Sequence, residues 1–194
     1  MRIIAGLAKG MTLAVPRTGV RPTTDRIREA VFSSLGGRVV GARVLDLFAG
    51  TGALGLEAAS RGAESVMFVE NARGALECLG RNLEAFRRNR DVTCTFSVAR
   101  TAVESQVRAL AVAGESYSLI FADPPYGGPA QALLRDTTLP QLLASDGWFV
   151  LESAKRDTLA VSGAWELVRG AVYGDTQVNF LRRKITSSAI PRSS

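Results

Sequence analysis

The sequence predicts an α/β fold in which a mostly parallel sheet is covered by helices on both faces, closed by a terminal antiparallel hairpin and preceded by a short arm. Three observations carry this. From Val44 onward, strand-sized apolar runs alternate with segments of helical period. The last two strand-like segments are separated only by Gly174-Asp175, a tight turn. At 194 residues and 46% hydrophobic content, the chain can bury one sizeable core, which favours a single domain.

Residues 2 to 16 alternate apolar with small or polar positions around Gly6 and Gly10, which reads as a hairpin or extended arm, taken as residues 1–20. A helix follows: Thr24 can cap it, Asp25 suits its positive end, Ile27, Val31 and Leu35 fall at helical spacing, and Gly36-Gly37 ends it. The alternation then runs strand 43–48, helix 53–61, strand 65–70, helix 72–86, strand 92–98, helix 101–112, strand 117–122, helix 130–143 and strand 148–151. Strands 165–173 and 177–184 make the hairpin. The body is thus expected over 21–184, with a polar tail over 185–194.

Composition excludes several chemistries. With no histidine and two cysteines, Cys78 and Cys94, the chain has no Ser-His or Cys-His nucleophile, no usual zinc site and no disulfide framework. No metal is expected. No apolar run approaches a membrane span and no signal segment opens the chain, so a cytoplasmic protein without membrane contact is expected. Charge is unevenly placed. Residues 1 to 43 carry Arg2, Lys9, Arg17, Arg21, Arg26, Arg28, Arg38 and Arg43 against Asp25 and Glu29, which accounts for the whole net charge of +6. A basic arm on a neutral body is the pattern of a protein that grips a phosphate backbone, with Arg2, Lys9, Arg21, Arg26 and Arg28 as candidate phosphate contacts. The competing reading of Arg26 and Arg28 is a solvated helix face.

Two motifs carry chemistry. Asp123-Pro124-Pro125-Tyr126 follows the apolar run 117–122 and places a carboxylate, a rigid turn and an aromatic ring at one strand mouth. The prolines fix φ near about −65° and remove two donors, so Asp123 and the Pro124 carbonyl form an acceptor pair beside a stacking surface. A planar substrate with an exocyclic amine suits it. The second motif, Asp46-Leu-Phe-Ala49-Gly50-Thr-Gly52-Ala-Leu-Gly55, is a glycine loop between a strand and its helix, with Glu70 about 20 positions on to hold ribose hydroxyls. A dinucleotide fits this spacing too. Asp46 distinguishes the readings: a carboxylate near a pyrophosphate is repulsive, whereas the sulfonium and ammonium of S-adenosylmethionine favour it. Asp46 can equally serve to tie down the glycine turn.

In this order, Asp46-Leu-Phe-Ala-Gly-Thr-Gly52, Phe68-Val-Glu70 and Asp123-Pro-Pro-Tyr126 resemble the Rossmann-like S-adenosylmethionine-dependent methyltransferases that modify exocyclic amines. With Arg2-Ile-Ile-Ala-Gly6, Arg21-Pro-Thr-Thr-Asp-Arg-Ile-Arg-Glu-Ala30, Gly52-Ala-Leu-Gly-Leu-Glu-Ala58, Ser60-Arg-Gly62 and Tyr173-Gly-Asp-Thr176, the chain resembles the bacterial 16S rRNA guanine-N2 methyltransferase family over about residues 2–183. The resemblance implies a seven-stranded sheet with its last strand antiparallel and a cofactor loop lined by Asp46, Ala49, Gly50 and Gly52. It also implies a ribose contact at Glu70 and a guanine cradle at Asp123, Pro124 and Tyr126. The implied partner is 16S rRNA or the assembled small subunit, met by a monomer. Two departures stand out: Ser97-Val-Ala99 lacks the family's acid for the adenine amine, and Met11 replaces a usual basic residue. Methylation of an adenine or cytosine amine in DNA, a nicotinamide oxidoreductase and a non-catalytic RNA-binding protein are the rival readings.

Overall fold

The computed structural model describes residues 1–16, 24–89, 91–161 and 163–184. Arg21, much of the Arg21–Ala30 motif's first half and the tail from 185 lie outside the described residues. Strands β1 (Arg43–Leu47), β2 (Ser65–Val69), β3 (Thr95–Ala99), β4 (Tyr117–Ala122), β5 (Leu143–Ala154), β6 (Trp165–Tyr173) and β7 (Thr176–Arg183) form one sheet in the order β3-β2-β1-β4-β5-β7-β6. β1 to β5 are parallel, and β7 is antiparallel to both β5 and β6. The strand order reverses between β1 and β4, so the crossovers after those strands leave in opposite directions and open a crevice at their carboxyl ends.

Strand alternation sorts the core into two layers. Val44, Phe68, Phe121, Val150 and Phe180 point to one face, where α1 (Asp25–Leu35), α2 (Ala53–Ser60) and α3 (Arg73–Arg87) pack. Leu45, Leu47, Ile120, Phe149 and Leu181 point to the other, against α4 (Val103–Val112) and α5 (Pro129–Arg135). Helix α1 begins where Thr24 accepts a hydrogen bond from the Ile27 amide at 3.3 Å, a cap of the kind that contributes about 1 kcal/mol. It buries Ile27, Val31, Phe32 and Leu35 and ends at Gly36 with φ of 55°.

Two elements depart from the sequence reading. The helix expected over 130–143 stops at Arg135, because Asp136 Oδ1 accepts from the Thr138 and Leu139 amides at 2.7 and 2.6 Å and Pro140 cannot continue a helical ladder. A short 3₁₀ turn (Leu139–Leu142) follows. β5 is longer than 148–151, since Tyr117 pairs with Leu143 before an irregularity restores pairing at Leu119 and Trp148. The exposed residues of that irregularity carry no apolar signal.

The arm is closed by an antiparallel bridge between Arg2 and Thr12, and its Ile3, Ala8 and Leu13 enter the first core layer. It lies on the outer side of α2. Glu57 accepts from the Ile4 amide at 2.7 Å and the Ala5 amide at 3.1 Å, and Ser60 accepts at its carbonyl from Leu7 and at Oγ from Ala8, at 2.8 and 2.9 Å. Gly6 has φ of 83°, and a Cβ there would sit 1.8 Å from the Ser60 carbonyl oxygen. Gly6→Ala is therefore expected to lift the arm from α2 and lower stability by about 1–3 kcal/mol in urea unfolding. Hydrogen exchange should quicken at the amides of Ile4, Ala5, Leu7 and Ala8; unchanged protection there would refute the clash.

Candidate active site

The carboxyl ends of β1, β2, β4 and β5 open into one cavity of ≈ 890 Å³. The register fixes which side chains meet there. Asp46 pairs with Phe68 and Phe121, and Phe121 with Val150, so these positions share a face of the sheet. Two residues further along each strand direction stand Glu70, Asp123 and Glu152, a row of three acids on that face with Asp46 one step below. All four line the cavity.

The loop after β1 is shaped by positive φ angles at Phe48 (55°), Gly50 (57°) and Gly52 (81°). Gly50 has open space around its missing side chain, as a residue against a ligand requires. Gly52 and Gly55 serve packing instead. A Cβ on Gly52 would meet Leu79 Cδ1 at 2.5 Å, and one on Gly55 would meet Phe68 Cε1 at 2.4 Å and Val66 Cγ1 at 2.7 Å. These glycines bring α2 close to β2. Phe48 is a bulky residue in left-handed backbone, a conformation that persists only where its surroundings hold it. Glu70 Oε2 accepts from the Gly50 amide at 2.8 Å, while Oε1 accepts from the Asn71 and Ala72 amides at 2.8 and 2.7 Å. It thereby joins the loop to the start of α3.

Asp46 Oδ2 accepts from the Gly55 amide at 2.9 Å, anchoring the first turn of α2. Burial pushes its carboxyl well above the usual carboxylate range; the Gly55 hydrogen bond opposes the shift, and the neighbouring Asp123 and Glu70 add to it. Glu152 is raised well above that range too, by burial first and then by Asp123 and Asp46, against Arg28. Sequence reading did not single out Glu152. Its signal was available: Met67-Phe-Val-Glu70, Ile120-Phe-Ala-Asp123 and Phe149-Val-Leu-Glu152 are three apolar runs that each end in an acid. Asn71, Ala72 and Ala75, which wall the cavity beyond Glu70, were missed as well, and no β3 residue reaches the cavity.

Opposite the glycine loop, Asp123 is half-buried, Pro124 is buried and Tyr126 is 40% exposed. The Tyr126 hydroxyl lies 3.4 Å from Thr176 Oγ1 in β7, which steadies the ring at the cavity rim. Of the basic residues, Arg26 is exposed and lines the cavity mouth, and Lys9 is exposed on the arm. Arg2 is exposed but lies 3.6 Å from Asp25. Arg28 departs from the expectation of a phosphate contact. It is wholly buried, its Nη2 donates to the Arg2 carbonyl and to Asp25 Oδ1, and it holds the arm to α1 instead of reaching the surface. Arg21 is outside the described residues.

The cavity suits a cationic nucleoside. Acids face it from four strands, the Glu70 carboxylate that accepts from the Gly50 amide stands where it could hold a ribose, and the loop presents no lysine or arginine for a pyrophosphate. Among the described residues, no three metal-ligating side chains are placed to hold an ion, and no helix is long and apolar enough to cross a membrane. Fold and site define an S-adenosylmethionine-dependent methyltransferase. Comparison with known proteins narrows the class. A family model described as conserved hypothetical protein 95 matches residues 1–182. Ribosomal RNA small subunit methyltransferase D of Escherichia coli K12 is 34% identical over 192 residues, covering 95% of this chain and 90% of that protein. The protein of that name from Haemophilus influenzae is 35% identical over 129 residues, 65% of this chain and 64% of its own. A solved structure of a hypothetical protein from Thermus thermophilus superposes with a TM-score of 0.79 at 32% identity, over 94% of this chain and 99% of that one. The chain belongs to the ribosomal RNA small subunit methyltransferase D family.

The buried Asp46 yields a pH prediction. A carboxyl whose folded pKa is raised supports folding while protonated and loses that contribution as pH rises above its unfolded value of about 4. In Asp46→Asn the amide oxygen can still accept from Gly55, and nothing titrates. The stability of Asp46→Asn relative to the unsubstituted protein should therefore grow as pH is raised from about 4. Urea midpoints of both proteins, taken at stepped pH, measure it; a difference independent of pH would contradict the raised pKa.

Proposed function

We propose that this chain transfers a methyl group from S-adenosylmethionine to the exocyclic N2 amine of a guanine in 16S rRNA of the small ribosomal subunit. One observation carries the reading. Asp123 and Pro124 with the Tyr126 ring stand on one side of a single cavity whose other side is the Gly50 and Glu70 loop, so an amine and a methyl donor can meet between them. The chain's likeness to the Escherichia coli ribosomal RNA small subunit methyltransferase D supports RNA of the small subunit as the substrate class. The guanine and its N2 position rest on the sequence resemblance; the acceptor pair supports an exocyclic amine.

When bound, the cofactor supplies a methyl group already activated on a sulfonium, so the chain's task is positioning. The guanine N2 lone pair is delocalised into the ring and nucleophilically weak. Asp123 and the Pro124 carbonyl accept the two N–H bonds, draw the nitrogen toward tetrahedral geometry and aim its lone pair across the cavity, toward the side where the methyl donor would be held. A bound S-adenosylmethionine would supply the methyl group to this nitrogen and keep the electron pair of the broken bond on its sulfur, so no further acceptor is required of the chain. The amine, transiently cationic, passes a proton to Asp123 or to solvent. Tyr126 covers the face of the extruded base. Glu70 holds the cofactor ribose, and Arg26 meets RNA phosphate at the rim.

Asp123→Ala should retain S-adenosylmethionine affinity but lose about 10²-fold or more in methyl transfer, the scale of removing one preorganised polar group from a reacting centre. Glu70→Ala should weaken cofactor binding by about 10- to 100-fold, as expected for the loss of charge-assisted hydrogen bonds. Labelled methyl transfer to small subunits and to naked 16S rRNA, calorimetry and mass spectrometry of the product nucleoside test both. Full activity in Asp123→Ala would sink the mechanism. For the rim, Arg26→Glu and Lys9→Glu should reduce RNA affinity and flatten its dependence on salt. Binding isotherms between low and moderate salt check this, and unaltered slopes would leave both residues as solvated surface.

A further inference from the structure

Glu152 is the acid of the rim row that the transfer reaction does not use. The pairing of Ala122 with Leu151 places Glu152 beside Asp123 on the adjacent strand, with both side chains on the cavity face. It is 2% exposed, and its Oε1 is buried without a hydrogen-bond partner among the described residues. A buried carboxyl oxygen left unmatched is costly unless a ligand completes it. Glu152 lines the same cavity as Asp123 and Pro124, next to the place where a base held by that pair would present its ring edge.

The ring atom beside the target amine separates the bases. In guanine the amine at C2 is flanked by N1–H, a donor; in adenine and cytosine the amine is flanked on its polar side by a bare ring nitrogen, an acceptor. Asp123 and Pro124 recognise an amine and are indifferent to this difference. We propose that Glu152 accepts the guanine N1–H and thereby determines the base specificity of the cradle, an inference that rests on the guanine-N2 reading above. Facing adenine or cytosine, Glu152 would set one acceptor against another and leave both without a bond. The bland alternative is that Glu152 serves only as a buried counterion for Arg28.

The test uses full-length protein and small-subunit RNA in which the mapped target guanosine is replaced by 2-aminopurine riboside, which keeps the C2 amine but lacks the N1 hydrogen. The unsubstituted enzyme should prefer guanosine over 2-aminopurine by at least about tenfold in kcat/KM, the behaviour of a site built to bond a group that the analogue lacks. Glu152→Gln, whose amide N–H can donate to the bare N1, should compress that preference to within about threefold. Equal rates of the unsubstituted enzyme on both RNAs would overturn the inference, whatever the variant does. So would an undiminished preference in Glu152→Gln, the result expected of a mere counterion. Should Glu152→Gln fail to bind cofactor, Glu152→Asp takes its place, and its shorter reach should likewise reduce the preference. Failure of the underlying reading looks different: the unsubstituted enzyme then methylates no guanine in the RNA, as nucleoside mass spectrometry shows directly.

Discussion

The carboxylate of Glu57 is the contact on which the rest of the site depends. It sits in the middle of α2 with no exposure, and it accepts from the Ile4 and Ala5 amides of the arm and from Arg61 Nε at 2.8 Å. A buried charge is tolerated only when so supplied. In this chain it permits a helix whose eight residues are all buried. The inner side of α2 is pressed onto β2 through Gly55, and the outer side is sealed by the arm. Helix and arm together fix where the glycine loop begins and ends.

Positioning then propagates to the chemistry. With α2 immobile, the Gly55 amide holds Asp46 from below, and Glu70 holds the Gly50 amide from the neighbouring strand. The loop is braced before any ligand arrives, so little ordering entropy remains to be lost on binding. On the far side of the crevice, Asp123 and Pro124 inherit their place from β4, a strand buried along nearly its full length. Groups at the ends of rigid strands keep their alignment without help from a ligand.

Much of this was legible in the sequence. The strand and helix order, the Thr24 cap, the terminal hairpin and the residues that line the cavity from Asp46, Gly50, Glu70 and Asp123 all carry local signals: period, glycine spacing, or an acid closing an apolar run. Glu152 carries the same signal but lies in no familiar motif. Arg28 was misread because its type and its neighbours Arg26 and Glu29 describe a solvated helix face, while its burial depends on the arm folding back across α1, a contact with no local signature. The helix stop at Asp136 was hidden for a different reason. Leucines at 133, 134, 139, 142 and 143 keep a helical rhythm through it, and the Asp136 side chain simply competes better for the next two amides.

Asn82 of α3 bears on how freely such a protein can be rebuilt. Its Oδ1 accepts from the Ala14 amide at 2.7 Å, and its Nδ2 donates to the Ala14 carbonyl at 3.1 Å and to the Thr51 carbonyl of the glycine loop at 2.9 Å. One amide thus belongs at once to the arm and to the glycine loop. The arm is therefore not a detachable module. A graft of another relative's arm has to bring matching partners on α2 and α3, because the surface that receives the arm also shapes the glycine loop.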